Sequence, residues 1–491
     1  MDNEEINHIA KGTTILLIGV FISKILTFIY RLIIARLGTE EYGLLSLGIT
    51  ILGFSSVIAI LGMNIGITRY VAYYNHKNKK EEILGMIRSA LKITSITSII
   101  LASLLFIFSN NIALSIFHNQ KLSIIIKIIA FAIPFDVTRD IVLSATKGFQ
   151  HMKYDVYSKN IVEGVSKIIL TIILVYLGLS IVGATLAYTI AVVISTLFAF
   201  YYLEKKVFPF LNTKILAKNN TKAMMRYSIP LLFGNVLFLI VLWTDTIMIG
   251  IFKTASDVGI YNSAVPLSQI LYIFPIAIIP IFTTIMTKVY AKKKINLLKK
   301  LYSISTRWII ITNMLVSLLL IMFPQFILVT LFGKQYESAY QPLIILTIGY
   351  FIYFTTYTSQ RLLMIINKTR LFTLNSLITA LLNVVLNYIL IPIYGINGAA
   401  YASLASLAVF SLLNVVEVKK TLNINTFNMK HLMIIVYGII SAFLIKFISS
   451  LINLPVILYI ILLIIIYLLI LLITKSITKE DIKTIINLKN G

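Results

Sequence analysis

The chain has 491 residues, of which 59% are hydrophobic and 12% charged, and it carries a net charge of +25 without a single cysteine. A soluble domain holds about 25% charged residues, so this composition excludes one and describes a polytopic membrane protein. Disulfides, thiolate metal sites and cysteine nucleophiles are excluded outright. The Lys and Arg sit in short clusters between apolar spans, where a membrane topology needs them, so nucleic acid is not an expected partner.

Met1 to Lys11 carries Asp2, Glu4 and Glu5 with no basic n-region and no small-residue cleavage site. No signal peptide is expected there, and the first apolar helix is retained. That helix contains Lys24 and Arg31, seven residues apart, so two helical turns at about 1.5 Å per residue place both on one face with Phe28. The second apolar segment brings in Arg69. A cation at the bilayer centre costs about 2.5–3.5 kcal/mol on insertion scales, so such residues face a cavity or a partner. Snorkelling accounts for Arg36 at the helix end and can rescue Arg31, but Lys24 is near mid-span and badly placed to reach either surface.

Runs able to cross an apolar core of roughly 30 Å fall at 13–37, 42–74, 90–109, 122–146, 157–177, 181–203, 226–251, 257–287, 303–323, 340–366, 371–393, 396–416, 431–452 and 455–474. The spacing predicts an all-α protein of fourteen transmembrane helices. The weakest division is the turn Leu177-Gly178-Leu179-Ser180, whose counterpart is Pro392-Ile393-Tyr394-Gly395. Loops alternate in charge along this list: one set holds the clusters from His76 to Lys80, Lys205 to Arg226 and Lys288 to Lys300, and the other little beyond Arg36, Lys121, Lys253 and Lys334. The positive-inside rule then puts both termini in the cytoplasm of a cell-membrane protein.

The chain also repeats itself. The stretch from Ala35 to Leu44 resembles that from Ile251 to Ile260, Ile181-Val182-Gly183-Ala184 resembles Ile396-Asn397-Gly398-Ala399, and Asn160 and Asn375 fall in the same register. We read an N-lobe over 1–204 (helices 1–6), a C-lobe over 205–420 (helices 7–12), an added helix pair over 421–474 and a cytoplasmic tail over 475–491. In that tail, Thr478 to Leu488 alternates Lys with Ile and Leu, the pattern of a helix lying on the membrane surface. Six helices is an even number, so the lobes are parallel repeats about an axis along the membrane normal, and a transport site is expected between them. Pro134, Pro230, Pro266, Pro275 and Pro280 lie within spans, and the last three should bend the eighth helix. Gly62-Met63-Asn64-Ile65-Gly66 is a small-xxx-small pattern for close helix contact.

Several charges within the spans neutralise one another. Glu163 and Lys167 are four apart in the favourable order and Asp136 and Arg139 three apart, so both read as structural pairs; Asp140 has no partner that spacing can name. Lys24, Arg31, Arg69 and Arg361 have no local carboxylate at helical spacing and are the candidate anion-binding residues. Asp245 has no cation at helical spacing, and Asn383 and Asn387 share one face of the eleventh helix, with Ser403 on the next. These oxygen donors suit a coupling ion, sodium or a proton; the alternative is that Asp245 caps a turn or pairs with a cation from another helix.

The order and spacing of several motifs resemble one family. Ala35-Arg36-Leu37-Gly38, followed by Tyr42-Gly43, is similar to the signature between the first two helices of the polysaccharide-transporter family, the Wzx-type flippases for lipid-linked oligosaccharides. Gly148-Phe149-Gln150, Asp245-Thr246-Ile247-Met248 with Val258-Gly259-Ile260-Tyr261, and Asn383 to Asn387 running through Pro392 to Gly398-Ala399-Ala400 extend the resemblance over nearly the whole chain. It implies the multidrug/oligosaccharidyl-lipid/polysaccharide exporter fold and movement of an isoprenoid-diphosphate-linked oligosaccharide from the cytoplasmic to the outer leaflet. Implied partners are that lipid, membrane lipid, and glycosyltransferases or a polymerase of the same pathway. A flippase for a lipid-linked peptidoglycan precursor and a multidrug cation antiporter of the same fold are the alternatives, although an antiporter for cations calls for an acidic cavity and the surplus here is basic. No phosphate loop of the G-x-x-x-x-G-K-[ST] type is present, so energy has to come from an ion gradient, the membrane potential or downhill use of the product.

Overall fold

The computed structural model describes residues 19, 21–211, 213, 215–218, 221–425, 427–474 and 476. The expectations for Met1 to Lys11 and for the Thr478 to Leu488 tail lie outside the described residues. All fourteen apolar segments contain helix, and no strand occurs among the described residues. The first helix covers 21–35. The third is Lys80–Ile107, the fourth Lys121–Gly148, the fifth runs from Lys153 to Leu179 and the sixth from Ser180. The seventh is Thr221–Phe252, the ninth Ile295–Met322, the eleventh Thr369–Tyr394, the twelfth Ile396–Leu422, the thirteenth Met429–Leu451 and the fourteenth Val456–Ile473. Among the described residues, ten helical stretches are long and apolar enough to cross a membrane, and one of them, Lys153–Val207, holds the fifth and sixth helices together. The fourth helix falls short of that measure because it carries Lys127, Asp136, Arg139 and Asp140.

The second segment departs from the single run expected over 42–74. It is two helices, Thr39–Ile60 and Met63–His76, because Leu61 (φ 52°) and Gly62 (φ 70°) both adopt the left-handed region. Glycine takes that conformation without a Cβ penalty, and the same missing Cβ lets Gly62 approach the Ser228 carbonyl: a Cβ there would lie 2.3 Å from that oxygen. Gly66, one turn on, meets the Ser228 hydroxyl in the same way. The small-xxx-small pattern is thus the contact of the broken second helix with the seventh. The eighth segment also bends, from Ala255–Ser268 through a tight turn over Gln269–Tyr272 into Ile273–Ala291, between Pro266 and Pro275. The tenth is divided at Thr356 into Tyr340–Thr355 and Tyr357–Ile365.

Backbone geometry carries the internal repeat further than the side chains do. Ser180 (φ 43°, ψ −130°) ends the turn before the sixth helix, and Gly395 (φ 58°, ψ −136°) ends the turn before the twelfth. The break at Leu177 to Ser180 is therefore real, with Gly178 at φ 84° supplying the reversal.

By contacts the chain divides into two compact units, Met1–Gly259 and Ile260–Gly491. In the first, the fourth helix packs on the second, third and sixth, and the seventh packs on both halves of the second. In the second, the twelfth helix packs on the tenth and eleventh, and the ninth on the eighth and tenth. The added pair docks on the ninth helix: Ile310, Met314 and Leu318 share a core with Ile434, Tyr459, Leu463 and Tyr467. The Tyr467 hydroxyl donates to the Ile311 carbonyl at 3.0 Å.

The topology has a direct test. Since the chain lacks cysteine, Asn78→Cys and Asn110→Cys can be made without prior engineering. Of the two thiols, only the one introduced at Asn110 is expected to react with an impermeant maleimide from outside whole cells; reaction at Asn78, alone or equally, defeats the assignment of the termini.

Candidate functional site

The first helix lies along the fifth. A Cβ on Gly19 would meet Val156 at 2.5 Å, and one on Gly164 would meet Leu26 at 2.8 Å. With about 100° of turn per residue, Lys24 and Arg31 share the side opposite that contact. Lys24 is exposed and Arg31 half-buried, its Nη1 donating to the Tyr42 hydroxyl at 3.4 Å.

Behind this helix, the fourth and fifth helices carry a closed network of ions. Arg139, 2% exposed, donates to Asp136 and Glu163 and lies 3.7 Å from Asp140. Lys159 donates to Asp140 at 2.7 Å, and Lys167 stands 4.0 Å from Glu163. Three cations thus face three carboxylates. The Lys167 ammonium also sits 4.8 Å from the Tyr30 ring and 5.3 Å from the Tyr188 ring, near enough for cation–π attraction. The two pairs at helical spacing are present, and Lys159 is the partner of Asp140 that spacing could not name, because it comes from another helix. A charge-neutral network of this kind reads as structure.

Arg69 is elsewhere. It lies 27 positions beyond Tyr42 along the second segment, about 30 Å or more at the helical rise even allowing for the break. Its guanidinium rests 4.2 Å from the Tyr227 ring. A groove of about 380 Å³ is lined here by Asn64, Ile65, Thr68 and Arg69 with Ser144 and Lys147 from the end of the fourth helix. The structure therefore places Arg31 and Arg69 too far apart to hold one phosphate group together.

In the second unit, Arg361 donates to the Tyr357 hydroxyl, and its Nη1 lies 3.8 Å from the Met364 sulfur. Tyr357 meets Tyr272 edge-on at 6.0 Å, and Phe354 stacks on Tyr272 at 5.2 Å. The i, i+4 relation of Tyr357 and Arg361 was available from spacing. Asn383 and Asn387 are both fully buried, and Asn387 Nδ2 donates to Asn383 Oδ1 at 3.1 Å. Ser403 is buried as well, as is Asp245 in the first unit. No cluster of three His, Asp or Glu able to hold a metal occurs among the described residues.

This fold has solved relatives. The lipid II flippase MurJ in an inward closed conformation superposes with a TM-score of 0.74 at 18% identity, over 95% of this chain and 99% of that one. An uncharacterized membrane protein of Methanocaldococcus jannaschii is 26% identical over 469 residues, 90% of each chain. A probable low-salt glycan biosynthesis flippase of Haloferax volcanii is 28% identical over 204 residues, 40% of this chain and 41% of that protein. The molecule is a multi-pass membrane protein with the same fold as the flippase MurJ. Residues 9–286 match the model described as polysaccharide biosynthesis protein, and the chain belongs to that family; residues 230–389 match the MatE model.

Proposed function

We propose that this protein is a flippase that moves an isoprenoid-diphosphate-linked oligosaccharide from the cytoplasmic to the outer leaflet by alternating access, with 1–204 and 205–420 as the halves that alternate. One observation carries the reading. Among the described residues, Arg139, Lys147, Lys159 and Lys167 each have a carboxylate within ion-pair distance, whereas Lys24, Arg31, Arg69 and Arg361 have none. Cations left in apolar spans call for an anion, and charge-assisted contacts to phosphate are roughly twice as strong as neutral hydrogen bonds. The Haloferax relative supports a glycan-bearing lipid as the class of cargo, and family membership supports a role in polysaccharide synthesis, with glycosyltransferases or a polymerase as the enzymes that supply and use the lipid. The distance between Arg31 and Arg69 makes those two separate stations within the first unit.

The test is flipping of a lipid-linked oligosaccharide in vesicles containing the purified protein. Lys24→Ala is expected to abolish flipping with insertion intact, and Arg31→Lys to keep part of it, because a point charge retains attraction and loses the bidentate fork. A normal rate in Lys24→Ala removes the cationic route. The MurJ fold favours a second cargo, a lipid-linked peptidoglycan precursor; running the same vesicles with that lipid decides between them.

We propose two separate candidates for coupling: in the first unit the buried Asp245 carboxylate, for a proton or a sodium ion, and in the second unit the buried Asn383 and Asn387 amides, whose oxygens suit a hard cation. With sodium and proton gradients imposed separately, dependence on one of them should vanish in Asp245→Asn. Unchanged dependence leaves Asp245 a structural role.

A further inference from the structure

The groove beside Arg69 exists because two helices touch there. A Cβ on Gly148 would lie 2.7 Å from Val71 Cβ and 3.0 Å from the Thr68 carbonyl, so only glycine lets the fourth helix come this close to the second. Thr68 fastens the contact, its hydroxyl donating to the Ser144 carbonyl at 3.0 Å. Arg69 and Lys147 are thereby brought to one opening, at the membrane face where charge distribution puts the cytoplasm.

We infer that this groove is an anion site for the phosphate groups of a lipid, occupied before the lipid reaches Lys24 and Arg31. The lining carries donors and no carboxylate: Arg69, Lys147 and the Asn64 amide, whose oxygen is already used by the Ile65 N–H at 3.0 Å. Arg69 lies 4.2 Å from the Tyr227 ring; stacking of that kind fixes a guanidinium plane and leaves its N–H edge available. Lys147 is held by Asp155 at 3.0 Å and is 37% exposed. The contact is an ion pair without a hydrogen bond at Asp155 Oδ1, so it does not use up the three donors of the ammonium. Arg69 and Lys147 against Asp155 sum to a single positive charge, enough to attract a phosphate and weak enough to release it. The lipid is an isoprenoid diphosphate if the flippase reading holds, and a phospholipid headgroup offers the same chemistry.

The experiment uses the full chain in phosphatidylcholine vesicles, with Ile65→Cys at the groove and maleimide labelling as the readout. Farnesyl diphosphate is expected to slow labelling saturably. Arg69→Gln and Lys147→Gln should each raise the half-protecting concentration about tenfold, the loss of one charged hydrogen bond. Asp155→Asn should lower it severalfold, because it frees Lys147, whereas a merely structural Asp155 would give no gain. Arg69→Lys, checked for normal chromatography, separates lost charge from lost folding by retaining part of the protection. Protection by phosphatidylglycerol vesicles without farnesyl diphosphate names the phospholipid as occupant. Protection by neither, or protection indifferent to Arg69 and Lys147, overturns the site. Flipping that depends on Lys24 but not on this groove would sink the inference and spare the function; saturable protection without flipping would do the reverse.

Discussion

Arg139→Gln is expected to cost about 3–5 kcal/mol, the range for removing one partner of a buried ion pair. The reason lies in what stays behind. Asp136 and Glu163 lose their shared donor, Asp140 keeps Lys159, and Glu163 is left to Lys167 at 4.0 Å. Two carboxylates in an apolar span are then under-compensated, and that penalty exceeds whatever the intact network contributes. The purified variant should melt well below the parent and lose monodispersity. Replacing the whole group, as Asp136→Asn, Arg139→Gln, Glu163→Gln and Lys167→Gln together, should recover most of the loss, since neutral amides can bond to one another and no cation is left without its carboxylate. If this fourfold variant is as unstable as Arg139→Gln alone, packing and not charge is what Arg139 provides.

The same network marks where sequence reading ends. Pairs within one helix are fixed by rise and turn, so Glu163 with Lys167 and Asp136 with Arg139 could be read from spacing alone. Arg139 with Glu163 and Lys159 with Asp140 join separate helices, and no periodicity encodes which faces meet. The fourteen helices were legible because a membrane leaves long apolar runs no other structure. The break at Leu61 and Gly62 was not, because glycine is tolerated inside membrane helices and only the approach of Ser228 explains it. Lys24 and Arg31 were correctly given one face by helical geometry. Arg69 was grouped with them by charge, although helix length already implied a station nearer the opposite surface.

Gly43 and Gly259, the glycines that the internal repeat aligns, yield the second large effect, because each lies on the other's backbone. A Cβ on Gly43 would fall 1.7 Å from the Ala255 carbonyl oxygen, and one on Gly259 would fall 1.9 Å from that of Thr39. Thr39 Oγ1 and Ser256 Oγ close the crossing at 2.7 Å. Overpacking by a methyl costs about 1–3 kcal/mol where side chains can shift, but here the obstacle is backbone on both sides, so the helices themselves must part. Gly43→Ala is therefore expected at or above the top of that range, and Gly43→Val should prevent accumulation of folded protein. Gly178→Ala serves as the contrast: nothing lies within 4 Å, and only its φ of +84° is strained, a cost of about 1–2 kcal/mol. The symmetry of the crossing adds a sharper expectation. Once the helices have separated for one methyl the second has room, so Gly43→Ala with Gly259→Ala should destabilise by less than the sum of the two, a coupling that a double-mutant cycle measures. Strict additivity in thermal melting would mean that the two glycines relax independently, and that the repeated motif is two local turns and no shared joint.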